Sequence, residues 1–202
     1  MIEIAPTSEA AVVLAFLKAE IDYSPHRPHI HQVLQMLQAT RQELIDDADL
    51  GVDFQNAARA VLLDCYRGYL KRDCFFIGFP KKVNWRRVEL ESADFQRLLY
   101  IANESAWDRY SQKTRSPQLV ADRIARGELP DLAPKVAAIR EKLERNETFP
   151  ELVAVEGKGN ALVLMEGAHR ATAYVGLKWK GNVPAIIGSS PLMHNWHWYA
   201  YR

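Results

Sequence analysis

The sequence predicts an α+β protein: a mostly helical N-terminal half, then a small α/β core with a mixed sheet. Three observations lead there. Apolar residues recur at helical spacing through much of residues 1–130, which favours helices with one buried face. After Phe149-Pro150 the texture changes to short apolar runs with Gly and Asn between them, the pattern of strands and turns. The chain of 202 residues is 48% hydrophobic and 25% charged, an ordinary balance for a globular protein with a sizeable core. The division falls between a helical region, 1–130, and a core, 131–202, packed as one compact unit.

The bulk numbers also exclude function classes. A net charge of +1 argues against a strongly basic nucleic-acid binder. No apolar run approaches the roughly 20 residues that span a bilayer. Met1-Ile2-Glu3-Ile4 lacks the basic region and apolar core of a secretory signal. Cys65 and Cys74 have no metal-ligand spacing and read as reduced thiols, so the expected location is the cytoplasm.

In chain order, residues 7–21 read as a first helix, capped by Thr7 or Ser8, with Val12, Val13, Phe16 and Leu17 on its inner face. Tyr23-Ser24-Pro25-His26-Arg27-Pro28 breaks the chain, because proline disfavours helix at the residue before it. Ile30 to Leu44 resumes a helical pattern. His26, His29 and His31 bring no cysteine and straddle the break, so they read as solvated helix-start residues rather than metal ligands. Asp47, Asp49, Gly51 and Asp53 lack the closing glutamate of a calcium loop. They read as a helix end, with Asp53 capping the next helix, 53–71. That helix carries Phe54, Ala57, Ala58, Val61, Leu62, Cys65, Tyr66 and Tyr69 on one face, with Arg59, Arg67, Lys71 and Arg72 left for solvent.

Cys74 to Pro80 is either a strand or an aromatic loop. Lys81, Lys82, Arg86 and Arg87 around Trp85 read as a basic loop, a pattern that also suits nucleic acid. Ser92 or Asp94 caps a helix running through Ile101. Asn103 to Pro117 mixes polar and aromatic types, as where a substrate is gripped, and offers Asp108, Ser111 and Arg115 for an acceptor. Short helices follow at 120–125, ending at Gly127, and at 135–145. Residues 152–155 and 161–165 form two strands about the turn Gly157-Lys158-Gly159-Asn160. A helix runs from the Gly167 turn to about Leu177, and Val183 to Gly188 is a third strand, its proline suited to an edge or a strand start. Trp196, Trp198, Tyr199 and Tyr201 make the tail pack on the body or border a pocket.

The candidate site is Glu166-Gly167-Ala168-His169-Arg170-Ala171-Thr172. A strand that turns through glycine into a helix presents free backbone N–H groups and the positive helix end, and His169 and Arg170 add donors for an anion such as phosphate. Residues 135–188 resemble the ParB/sulfiredoxin-like fold, and Gly-x-His-Arg-x-x-Ala at 167–173 is similar to the nucleotide-phosphate motif of sulfiredoxins and of ParB-like free serine kinases.

The resemblance implies ATP or ADP bound through Gly167, Ala168, His169, Arg170 and Thr172. It implies phosphoryl transfer to a small molecule, with His169 catalytic; Glu166, one residue before the glycine, is placed either to act as the catalytic base and hold Mg²⁺ or to pair with Arg170 and brace the turn. Ala168 stands where sulfiredoxins carry their reactive cysteine, which removes sulfinic-acid repair. The partition proteins place a DNA-reading domain after this core, where only residues 189–202 remain. The alternative from another class is a ParB-like nucleotide switch or DNA-associated regulator without small-molecule chemistry. A third is a degenerate member that docks a partner protein through its aromatic tail.

Overall fold

The computed structural model describes residues 1–22 and 25–201. Tyr23 and Ser24 of the Pro-broken stretch, and Arg202 of the tail, lie outside the described residues. The architecture is α+β, built on one mixed six-stranded sheet in the order β1-β2-β6-β4-β5-β3. Its strands are β1 (Ile2–Thr7), β2 (Asn84–Leu90), β3 (Leu98–Leu99), β4 (Leu152–Glu156), β5 (Leu162–Glu166) and β6 (Val183–Ser189). The helices are α1 (Glu9–Glu20), α2 (Arg27–Met36), α3 (Asp53–Arg67), α4 (Ser105–Tyr110), α5 (Pro117–Ala125), α6 (Ala133–Glu144) and α7 (Ala168–Gly176). β1, β2 and β6 pair antiparallel in turn, β6 runs parallel to β4, β4 antiparallel to β5, and β5 parallel to β3.

Both faces of the central strands are covered, and this explains their unbroken apolar runs. Side chains alternate across a strand. Val153, Val155, Val163, Met165 and Ile186 enter the core beneath α1 and α3. Leu152, Ala154, Leu162, Leu164, Ala185 and Ile187 enter the core on the other face, which α5 and α7 share. Residues 1–130 thus contribute three strands and a covering layer to the same sheet that residues 131–202 complete. The turn at 157–160, the helix after Gly167 and the three strands of 152–188 all lie where the sequence puts them. Pro184 occupies the second position of β6, a central strand whose start tolerates the missing N–H.

Several elements differ from the sequence expectation. β1 is an edge strand, exposed along most of its length, and too short and solvated to leave an apolar signature. Ser8 caps α1 as expected, accepting from the Ala11 N–H at 3.3 Å, but α1 is buried nearly all round. The single helix expected over Ile30 to Leu44 is two pieces: α2 stops at Met36, Gln38 takes φ +52°, and a π-helical turn follows at Gln42–Asp46. Asp53 is the first helical residue rather than the cap, a position held by Val52.

α3 ends early, at Arg67, because Gly68 adopts φ +71° and Asp64 Oδ1 captures the N–H groups of Leu70 (2.8 Å) and Lys71 (3.0 Å). Cys74–Phe76 is a 3₁₀ turn whose rings pack edge to face, Phe75 on Phe76 at 5.3 Å. The helix expected from Ser92 is a 3₁₀ segment, Ser92–Arg97, closed by a capping box between Glu91 and Asp94, after which the chain enters β3.

Only the first part of the basic stretch around Trp85 is a loop: Lys81 and Lys82 are exposed before β2, whereas Trp85, Arg86 and Arg87 belong to that strand, with Trp85 buried, Arg86 paired to Glu156, and Arg87 to Glu151 at 2.9 Å. Arg59 is also not solvated. It is fully buried and ties the preceding turn together, donating to the carbonyls of Leu44 (3.1 Å) and Asp49 (2.8 Å) and to Asn56 Oδ1 (2.6 Å). Phe54 and Val61, expected inside, are exposed instead. The tail packs on the body: Trp196 is buried, its indole N–H donating to the Phe75 carbonyl at 2.7 Å. Cys65 and Cys74 are both free thiols.

Candidate cleft at the start of α7

β5 delivers Glu166 to its C-terminal end, and the chain turns into α7 through Gly167 at φ +98°, ψ 22°. Only glycine fits there, since a Cβ would stand 2.3 Å from Leu152 Cδ2 in addition to the backbone strain. Glycine has no side chain to cap the helix, so the first-turn N–H groups of α7 receive no side-chain cap. A bulge-like register shift between Val153 and Ala154 lies directly beside this strand end, as β-bulges near sites do.

The turn opens onto a cleft of about 920 Å³, large enough for a nucleotide-sized molecule. One wall comes from the core: Glu166 to Arg170, with Lys135, Ala138, Ile139 and Lys142 of α6. The other comes from residues 1–130: Lys18, Glu20, His26, Arg67, Phe75, Tyr100 and Trp107. Lys135 and Lys142 stand seven apart, two helical turns, and therefore on one face of α6 beside the α7 start.

Two Glu–Arg pairs, each with one buried and one half-buried member, meet on the cleft floor. Glu20 binds Arg67, while Glu166 Oε1 lies 3.3 Å from Arg170 Nη2. Arg170 Nη1 also donates to the Pro150 carbonyl, so this guanidinium braces the turn against β4's entry. Burial raises the Glu166 carboxyl pKa above the ordinary value, and the charge of Glu20 adds to this; Arg170 and Arg67 offset only part. His26 lies 3.9 Å from Glu20 and stacks on Tyr66 at 4.8 Å. Burial and the neighbouring Arg67 push its pKa down to about 4, so it is neutral at pH 7. His29 and His31 are exposed, as the sequence suggests, whereas His26 is not a solvated helix-start residue. His169 is lowered by burial and then by Lys135, and it meets the Trp107 ring at 5.1 Å.

Glu166, Gly167, Ala168, His169 and Arg170 all line the cleft. Thr172 does not: its fully buried hydroxyl donates to the Ala168 carbonyl at 2.8 Å and meets Tyr100 Oη at 2.6 Å, one turn behind the helix start. Asp108, Ser111 and Arg115 lie outside the lining as well. Ser111 Oγ donates to the Trp107 carbonyl (2.7 Å), Arg115 Nε to the Tyr100 carbonyl (2.6 Å), and Asp108 accepts from the Tyr201 hydroxyl. Their contacts anchor α4 and the tail behind Tyr100 and Trp107, whose rings stack at 4.3 Å.

Sequence reasoning passed over Lys135 and Lys142, whose seven-residue spacing was a usable signal, and Glu20 and Arg67, for which no local signal existed. Among the described residues no group of three or more His, Cys, Asp or Glu side chains gathers to hold a metal ion. No helix among the described residues is long and apolar enough to cross a membrane. No protein-family model, curated protein or solved structure matches the chain.

Proposed function

We propose that the protein binds ATP or ADP with its phosphates on the first turn of α7 and transfers a phosphoryl group to a small hydroxyl compound. The observation that carries this reading is a convergence. An uncapped helix N-terminus, two lysines on the facing helix, and a half-buried carboxyl directly before the glycine open onto one cleft. Backbone N–H groups and the helix dipole neutralise phosphate charge, with Lys135 and Lys142 as mobile point charges beside them. Neutral His169 donates or accepts one hydrogen bond at a phosphate oxygen.

The acceptor hydroxyl oxygen attacks the terminal phosphorus, the bond from that phosphorus to the bridging oxygen breaks, and the nucleotide departs one phosphate shorter. Glu166 takes the hydroxyl proton, and a raised carboxyl pKa suits a group that must bind it. Arg170 acts through Glu166 and the turn rather than on phosphate, since both ends of its guanidinium are already engaged.

Mg²⁺ in such sites rides on the phosphates and takes one or two carboxylates. Here Glu166 would be the carboxylate nearest the helix start, but Arg170 already holds it, and among the described residues no preformed group of acidic, His or Cys side chains surrounds it. Calorimetry with ATP and ADP, each with and without Mg²⁺, tests the reading. Wild type binds at least one of them, and K135A/K142A binds about tenfold or more weakly, as loss of two charge-assisted contacts implies. Absence of binding to both nucleotides by the wild type overturns it.

A further inference from the structure

The two arginines on the cleft floor are held differently. Arg170 is engaged at both ends, by the Pro150 carbonyl and by Glu166, and its side chain is 8% exposed. Arg67 is engaged along one edge only. Glu20, 4% exposed, accepts from its Nε at 3.4 Å and from its Nη2. Its Nη1 has no acceptor among the described residues and is not a buried atom, and the side chain stays 23% exposed on the cleft wall. The guanidinium also rests over the Phe75 ring at 5.2 Å and the Tyr66 ring at 5.9 Å. Arg67 and Glu166 stand near enough for the charge of each to act on the other. The last turn of α3 thus presents to the cleft a donor held from behind by a buried carboxylate and by aromatic faces.

We infer that Arg67 Nη1 donates to a non-bridging oxygen of the terminal phosphoryl group, so that the cleft takes ATP in preference to ADP. This rests on the nucleotide reading above. In that reading Glu166 receives the acceptor proton, so the transferred phosphoryl group lies beside Glu166, where Arg67 reaches from the opposite wall. The charge of Lys135 acts instead on His169 at the helix start. The ion pair with Glu20 does not use up the donor, because side-on pairing takes one edge of the planar fork and leaves Nη1 outside it. Glu20 is a positioning residue that acts through Arg67, and Phe75 supports the plane of the guanidinium. A donor already fixed in place loses less freedom on binding than an unpinned lysine does. Arg67 makes and breaks no bond. Its hydrogen bond strengthens as charge redistributes over the phosphoryl oxygens during transfer. A diphosphate seated in the same frame leaves Nη1 without a partner.

Calorimetric titration of the full chain with ATP and with ADP, both in excess Mg²⁺, reads the ratio of the two affinities. Wild type should bind ATP about tenfold or more tightly than ADP, the worth of one charge-assisted hydrogen bond. R67Q should lower that ratio by about tenfold, and R67K should restore only part of it, because an ammonium lacks the second edge of the fork. R67Q leaves the buried Glu20 carboxylate unpaired and can unfold the chain. E20Q/R67M removes both charges, carries the same test without that penalty, and is checked for its fold by circular dichroism. E20Q, which keeps the arginine without its anchor, should fall between wild type and E20Q/R67M. A wild type that binds ATP and ADP equally overturns this inference alone. So does an E20Q/R67M that keeps the wild-type ratio, even with both affinities lowered alike. A wild type that binds neither nucleotide overturns this inference and the nucleotide reading together.

Discussion

Gly167→Ala tests the local geometry on which the whole cleft rests. The new methyl would stand 2.3 Å from Leu152 Cδ2 and 3.1 Å from Arg170 Nη2, at a residue whose φ is +98°. The backbone term alone is about 1–2 kcal/mol for an L-residue in left-handed space. Leu152 is 1% exposed in the core, so displacing its methyl overpacks a filled site at about 1–3 kcal/mol more. Together these predict about 2–5 kcal/mol of destabilisation, which in a chain of this size lowers Tm by roughly 4–20 °C.

Gly127→Ala is the matched control, because its φ is +75° but no atom lies within 4 Å of the added carbon. It carries the backbone term without the clash, and the stiffer unfolded chain returns about 0.4–1 kcal/mol. Urea unfolding of both variants, followed by tryptophan fluorescence, should place Gly167→Ala at least 1 kcal/mol below Gly127→Ala, the lower end of the overpacking cost. Equal losses in the two would mean that Leu152 does not crowd the turn, and the steric argument for glycine at this site would fail.

Three further outcomes follow from the same structure. His26 is held neutral with a pKa of about 4, below its ordinary 6.5, so the unfolded chain takes up a proton first. Its stabilisation is complete above pH 6.5 and is lost as pH falls toward 4, about 2 kcal/mol of it between pH 7 and 5. Urea unfolding of His26→Phe should show a shallower pH slope by that amount, and an unchanged slope refutes the assignment. Arg59→Ala strands the carbonyls of Leu44 and Asp49 in the interior and should lose about 3 kcal/mol in denaturant titration, while Arg59→Lys recovers only part because it lacks the forked donors. Trp196→Ala empties a buried site under Phe75 and Phe79 and should cost about 3–5 kcal/mol by calorimetric unfolding, with a loss near zero showing that the tail is not part of the core.

The strands and turn that carry Glu166 to Arg170 were legible because both faces of β4, β5 and β6 are buried, and the chemistry of such strands is written locally in Leu, Val and Ile. Helices were legible where one face alone is apolar, and misplaced where the chain breaks that rule. α3 shows this: Phe54 and Val61 imitate a core face, while Arg59 is buried because four oxygens from neighbouring backbone and side chains meet it. β2 was hidden by its charges, since Arg86 and Arg87 are strand residues whose partners, Glu156 and Glu151, lie far along the chain.

The sequence by itself determined the α+β class and the strand–glycine–helix turn. Each is a property of consecutive residues, fixed by side-chain period and by the backbone freedom of glycine. Tertiary structure alone decided that Glu20 and Arg67 reach the same floor as Glu166, and that Lys135 and Lys142 flank the helix start. It also decided that Thr172, Asp108, Ser111 and Arg115 serve the scaffold. Those assignments depend on which distant segments share a sheet face, and no local pattern encodes the burial and charge that such neighbours impose.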